Sequence, residues 1–168
     1  EKSRNLMTVR IAQDLGVKKI VNFSKQLGIY DNPSELLSIS LGSAETTLLK
    51  LTSAYSSFIN GGKLIKPSLV KNRNILKTKN LISTKTSEKI NIILRKVVSS
   101  KNGTAHFADK NGYYVGGKTG TAEGYGNTKD RINTFISVFP SNQNKYTLLV
   151  MLENPQINKD LIYDYRGV

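Results

Sequence analysis

Lys118-Thr119-Gly120-Thr121 puts one cation and two hydroxyls within four residues, after the approach Tyr113-Tyr114-Val115-Gly116-Gly117. Aromatic and β-branched residues suit a pleated backbone, so the stretch predicts a strand over Tyr113–Ala122. Glycines at 116, 117 and 120 remove side chains, which lets a second backbone lie close along that strand. An ammonium and two hydroxyls, each able to donate and accept, suit an acyl ligand that ends in a carboxylate. A second chemical group, Ser3-Arg4-Asn5, stands just ahead of the run Leu6-Met7-Thr8-Val9-Arg10-Ile11.

Ser3-x-Asn5 and Lys118-Thr119-Gly120 are similar to two of the three elements of penicillin-binding proteins and β-lactamases, Ser-x-x-Lys, Ser-Asp-Asn and Lys-Thr-Gly, and they stand in that family's order. The flanks extend the likeness. From Glu1 to Arg10 and from Ala54-Tyr55 to Asn60-Gly61-Gly62, the chain resembles the transpeptidase domain of bifunctional, class A penicillin-binding proteins. From Gly103-Thr104-Ala105 onward, through Val115 to Glu123 and Val150 to Pro155, it resembles the class B division enzymes.

The resemblance implies an α+β fold, an antiparallel sheet flanked by helices, incomplete on its N-terminal side. Residues 1–168 would then form the C-terminal portion of a single transpeptidase domain. It also implies a serine D,D-transpeptidase, which cross-links peptidoglycan stem peptides by acyl transfer and is acylated by β-lactam antibiotics. Such a domain works on the periplasmic side of the bacterial inner membrane, among cell-wall synthesis or division proteins, with the membrane reached only through an N-terminal anchor outside this sequence. In that scheme Ser3 relays a proton to the departing amine and Asn5 bonds the substrate amide. Lys118 supplies positive charge and poises protons. Thr119, Gly120 and Thr121 form the substrate strand: the two hydroxyls hold the carboxylate, and the Thr121 N–H forms half of an oxyanion hole. No cofactor and no metal are implied.

The family's Ser-x-x-Lys element precedes its Ser-x-Asn element, and only two residues precede Ser3 here. Ser68-Leu69-Val70-Lys71 has the letters, but it follows Pro67 in a predicted strand and falls on the wrong side of Ser3. The expectation is therefore a portion of a larger protein that is inactive without its nucleophile. Other readings stay open at this point: a D,D-carboxypeptidase or β-lactamase-type hydrolase of the same fold, a nucleotide-binding module, or a non-catalytic binding module for envelope polymers.

Plainer roles compete for each residue. Ser3 and Asn5 suit a helix N-cap and first turn, and Lys118 suits a solvated strand. Gly112 to Thr119 matches Gly-x4-Gly-Lys-Thr formally, yet strand-forming residues fill the loop and no helix signal follows Thr119. His106 is the lone histidine, too isolated for a metal site or triad, and reads as a loop residue bordering the site. Glu123 and Asp130 are too loosely placed for paired carboxylate catalysis.

Zero cysteines exclude thiolate catalysis and disulfides, and no apolar run is long enough to span a bilayer. The net charge of +13 comes with scattered lysines rather than an arginine stripe or an aromatic RNA-binding signature. It fits a basic surface near anionic envelope polymers better than nucleic-acid binding.

Periodicity predicts helices over Leu6–Leu15, Val17–Leu27 and Ala44–Phe58, the last capped by Ser43. A strand is predicted over Lys63–Lys71 and a loop over Arg73–Leu81. A helix to Ser99 follows, capped by Ser83 or Thr86, with Ile90, Ile93, Leu94 and Val97 inward. Strands Asn133–Phe139 and Tyr146–Leu152 complete an antiparallel set with Tyr113–Ala122, the first two joined over Glu123–Asp130 and the last two by a turn over Ser141–Asn144.

Overall fold

The structure, a computed structural model, describes residues 2–70, 79–123, 131–143 and 146–155, except the side chain of Glu123. Its elements are α1 (Asn5–Leu15), α2 (Val17–Gln26), α3 (Leu48–Ile59), β1 (Lys63–Leu64), β2 (Lys79–Asn80), α4 (Thr84–Ser99), β3 (Gly116–Glu123), β4 (Arg131–Phe139) and β5 (Tyr146–Glu153). Helices with two antiparallel sheets make this the expected α+β class. The chain divides into two compact units, Ser3–Glu88 and the part from Lys89 onward, and the boundary falls inside α4.

In the first unit, Gly16 separates α1 from α2. Its φ of 86° is a conformation that L-residues rarely adopt, and its N–H bonds the Ala12 carbonyl at 3.0 Å. α1 packs on α2 and on a 3-10 turn at Leu37–Leu41, where Ala12, Val21, Leu27 and Ile39 are buried. α3 starts later than its periodicity suggests. Thr47, not Ser43, is its N-cap and accepts the Lys50 N–H at 3.2 Å, while Thr46 is tied to the Ile29 carbonyl at 2.6 Å. β-Branched Thr46 and Thr47 resist the first helical turn, and Ser43 bonds Ser38 instead.

The strand expected over Lys63–Lys71 shrinks to Lys63–Leu64, paired with Lys79–Asn80. Pro67 and a local Ser68 turn, in which Ser68 Oγ accepts the Val70 N–H at 3.1 Å, end it. Lys71 and most of the expected loop over Arg73–Leu81 lie outside the described residues.

α4 is capped as expected by Ser83, whose Oγ accepts the Thr86 N–H at 3.1 Å. Its inward stripe is shifted, however. Ser87, Asn91, Leu94, Val97 and Val98 are buried, whereas Ile93 is 57% exposed. The Ser87 hydroxyl donates to the Phe58 carbonyl, so a polar residue holds the helix in its place within the first unit.

In the second unit, β3, β4 and β5 form an antiparallel sheet in that order. Gly116 pairs with Val138 and Glu123 with Arg131; Ile132 pairs with Glu153 and Phe139 with Tyr146. Val97, Val98 and Ala105 form the core, with Ala108, Val115 and Phe135 packed against it. Tyr113 and Tyr114 do not join the strand. Tyr113 ends a turn, its N–H on the Lys110 carbonyl at 3.1 Å, and Tyr114 beyond it takes a φ of 48° with its carbonyl accepting the Ser141 N–H at 2.9 Å. The linker between β3 and β4 lies outside the described residues; the expected turn after Phe139 is present, with the Gln143 N–H on the Pro140 carbonyl at 3.0 Å.

Candidate active site

Lys118, Thr119, Gly120 and Thr121 all stand on β3. Side chains alternate across a strand, so Thr119 and Thr121 share one face, and Lys118 and Gly120 the other. Among the described residues β3 pairs only with β4, which leaves its outer backbone edge free for another extended chain.

The glycines prove to serve the sheet itself. A Cβ on Gly116 would sit 3.1 Å from the Arg95 backbone nitrogen of α4. One on Gly117 would lie 2.6 Å from the Ile136 carbonyl oxygen and 2.8 Å from the Phe135 ring, and one on Gly120 would meet Thr134 Oγ1 at 2.5 Å. These directions are filled by protein, so the space left for a ligand is the backbone edge of β3 rather than gaps above the glycines.

Lys118 is half-buried, and burial lowers its pKa from the ordinary lysine value because desolvation penalises the ammonium. Its Nζ donates to the Thr119 carbonyl at 2.5 Å. The half-buried position and the bond to the Thr119 carbonyl distinguish Lys118 from a fully solvated strand lysine.

Two further groups hold the strand from its N-terminal side. Arg95 on α4 donates through one guanidinium nitrogen to Asp109 Oδ1 at 2.9 Å and to the Val115 carbonyl at 2.7 Å, just before β3 begins. Thr104 lies beside Thr119, whose hydroxyl donates to it at 3.0 Å. Sequence reasoning missed both residues as parts of the site, although Gly103-Thr104-Ala105 was among the stretches that carried the resemblance. His106 begins a short 3-10 turn next to this loop, with its Nδ1 3.3 Å from the Gly103 carbonyl and its ring on Phe107, consistent with a bordering role.

Ser3 and Asn5 belong to the other unit. Asn5 is the first residue of α1, and Arg4, not Ser3, occupies the N-cap position, without a side-chain cap bond. Ser3 holds a φ of 48°, so it is not the capping residue that its position before a helix suggested. Among the described residues no helix begins at Ser68 and its hydroxyl bonds only within its local turn, which is unlike a nucleophile at a helix start. The phosphate-loop match fails as well, because Thr119 continues into a strand rather than a helix. Its other ground, strand residues filling the loop, does not hold, since Tyr113 and Tyr114 lie before the strand begins at Gly116.

Comparison with known proteins agrees with this geometry. Penicillin-binding protein 1A of Rickettsia bellii is 40% identical over 155 residues, covering 73% of this chain and 19% of that protein. A peptidoglycan D,D-transpeptidase FtsI homolog of Mesostigma viride is 29% identical over 171 residues, covering 84% of this chain and 27% of that protein. The chain thus spans a fifth to a quarter of the length of these relatives. Among solved structures, the transpeptidase domain of the FtsI4 D,D-transpeptidase from Legionella pneumophila aligns with a TM-score of 0.75 at 26% identity, over 95% of this chain and 58% of that one. The family model described as the penicillin binding protein transpeptidase domain matches residues 1–165, and the chain therefore belongs to the penicillin-binding protein transpeptidase family.

Proposed function

We propose that this chain is the C-terminal portion of one D,D-transpeptidase domain and carries the substrate side of its site. The observation that carries the reading is β3: a backbone edge unpaired among the described residues, bearing a half-buried lysine of lowered pKa, a bonded threonine hydroxyl at 119 and an exposed residue at Thr121. A stem peptide ending in D-Ala-D-Ala adds along that edge as an extended strand. Its carboxylate takes the Thr119 and Thr121 hydroxyls, and the Thr121 N–H faces the developing oxyanion. Lys118 holds positive charge beside the reacting centre. Asn5 bonds the substrate amide, and Ser3 passes a proton to the leaving D-alanine amine.

The nucleophile is a serine of a Ser-x-x-Lys element outside residues 1–168. Attack on the penultimate D-Ala carbonyl forms a serine ester and expels D-alanine; an amine of a second stem peptide then resolves the ester. β-Lactams acylate the same serine. The working domain faces peptidoglycan on the periplasmic side of a bacterial inner membrane, in the company of cell-wall synthesis or division proteins.

The test is fluorescent penicillin labelling of residues 1–168, alone and joined to the N-terminal part of the domain. Labelling of the longer polypeptide alone, abolished by alanine at its Ser-x-x-Lys serine and slowed ~100-fold or more by Lys118→Ala, is the expected result. A folded longer polypeptide that never labels would overturn the assignment. Labelling of residues 1–168 by themselves would place the nucleophile within the chain.

A further inference from the structure

Thr104 is held unusually firmly for a loop residue. Its loop leaves the end of α4 through a Gly103 N–H bond to the Ser100 carbonyl at 2.8 Å. Ala105, fully buried, returns an N–H to the Val97 carbonyl at 3.2 Å. A Cβ on Gly103 would collide with the Val97 carbonyl, so only glycine lets the loop lie this close to the helix. The hydroxyl presented by this pinned loop stands 3.0 Å from that of Thr119, and the pair is partly buried.

We propose that Thr104 is a positioning residue of the carboxylate subsite, acting through Thr119; this deepens the function proposed above and rests on it. The reasoning is donor arithmetic. A hydroxyl has one proton and two lone pairs, and a carboxylate only accepts. In the empty site the Thr119 proton is spent on Thr104. When a carboxylate arrives, the Thr119 O–H rotates to donate to it, and the Thr104 O–H donates to the Thr119 lone pair that this rotation turns toward it. In the chain Thr104 O–H to Thr119 O–H to carboxylate the Thr119 proton has an acceptor both with and without the ligand, and donation into Thr119 polarises its O–H toward the ligand. A terminal carboxamide gains less, since its NH2 needs an acceptor where this chain ends in a donor. Thr104 therefore favours ligands with a free carboxylate terminus over amidated ones.

The test titrates residues 1–168 by NMR with diacetyl-L-Lys-D-Ala-D-Ala and with its C-terminal carboxamide, using the natural chain, Thr104→Val and Thr104→Ser. The natural chain prefers the carboxylate. Thr104→Val cuts that preference by about threefold to tenfold, as expected for one lost hydrogen bond, and Thr104→Ser keeps it. A merely structural role would lower the unfolding temperature of Thr104→Val and weaken both ligands equally. An unchanged preference in Thr104→Val, or its loss in Thr104→Ser, overturns the proposal while the transpeptidase reading stands. No preference in the natural chain overturns the carboxylate reading itself, and this proposal with it.

Discussion

The contact between Gly120 and Thr134 offers a test of why β3 is glycine-rich. In Gly120→Ala the new methyl carbon meets Thr134 Oγ1 at 2.5 Å, where ordinary contact begins at 3.4 Å. The next nearest atom is Thr134 Cβ at 3.9 Å, which is already comfortable. The clash is therefore with one side-chain oxygen. Overpacking of this kind costs about 1–3 kcal/mol. Reduced freedom of the unfolded chain returns about 0.4–1 kcal/mol, because Gly120 does not occupy a positive-φ conformation. The net loss is about 1–2 kcal/mol, and each kcal/mol lowers the unfolding temperature by about 2–4 °C in a chain of this size. Thr134→Ala removes the offending oxygen, so the double variant recovers most of the loss, with a coupling of about 1 kcal/mol in a double-mutant cycle. Gly117→Ala is different in kind. Its methyl would press on the Ile136 carbonyl oxygen at 2.6 Å, a backbone atom, and no side-chain change rescues it. Urea unfolding followed by circular dichroism measures all of these. Additivity of Gly120→Ala and Thr134→Ala within ~0.5 kcal/mol would refute the packing account of Gly120.

Three further outcomes are expected. Arg95→Met, which strips the Val115 carbonyl and Asp109 of their shared donor, loses about 1.5–3 kcal/mol in urea, whereas Asp109→Asn, which spares the Val115 bond, loses less than ~1 kcal/mol; equal losses would contradict the assignment. Lys118→Met raises stability at pH 7. The native pKa is depressed below 10.5, so the charged side chain costs stability at every pH below that native value. The cost fades between the native pKa and 10.5 and is gone above it, so the gain from methionine shrinks as urea unfolding is repeated toward pH 10.5, and a gain that grows with pH would be wrong in sign. Leu148, Val150 and Leu152 alternate along the edge strand β5, each about half exposed, so Val150→Lys reduces self-association of residues 1–168 in light scattering; unchanged association would clear this edge.

Much of this architecture is legible in the sequence because local chemistry and packing agree. α1 and α2 fall within a residue of their periodic runs, since Gly16 marks the break that the backbone takes. The expected strands β4 and β5 appear in antiparallel order. Where expectation failed, a tertiary demand overrode a local preference. Tyr113 and Tyr114 favour a strand by type, yet Tyr113 closes a turn on the Lys110 carbonyl and the Tyr114 carbonyl is taken by the Ser141 N–H. Ile93 fits the apolar spacing of α4, yet Ser87 and Asn91 take the inward stripe, with Ser87 bonding the Phe58 carbonyl.

At the proposed site, Lys118, Thr119 and Thr121 can be singled out by residue type because they are close in sequence on β3. Thr104 and Arg95 could not be read the same way. Each acts across more than a dozen residues, through a loop geometry and a helix packing that spacing alone does not encode. Residue type alone does not show what surrounds the glycines: a Cβ at Gly116, Gly117 or Gly120 would meet α4, the Ile136 carbonyl with the Phe135 ring, or Thr134.

We place the D-Ala-D-Ala peptide of the proposed function on the outer edge of β3, which pairs only with β4 among the described residues. Amide hydrogen exchange across β3 and β5, with and without saturating diacetyl-L-Lys-D-Ala-D-Ala, tests this placement directly. Slower exchange is expected at the outward-facing amides of β3, within residues 116–122, with no change along the outer edge of β5. Protection at β5, or none at β3 while the peptide is bound, would contradict it.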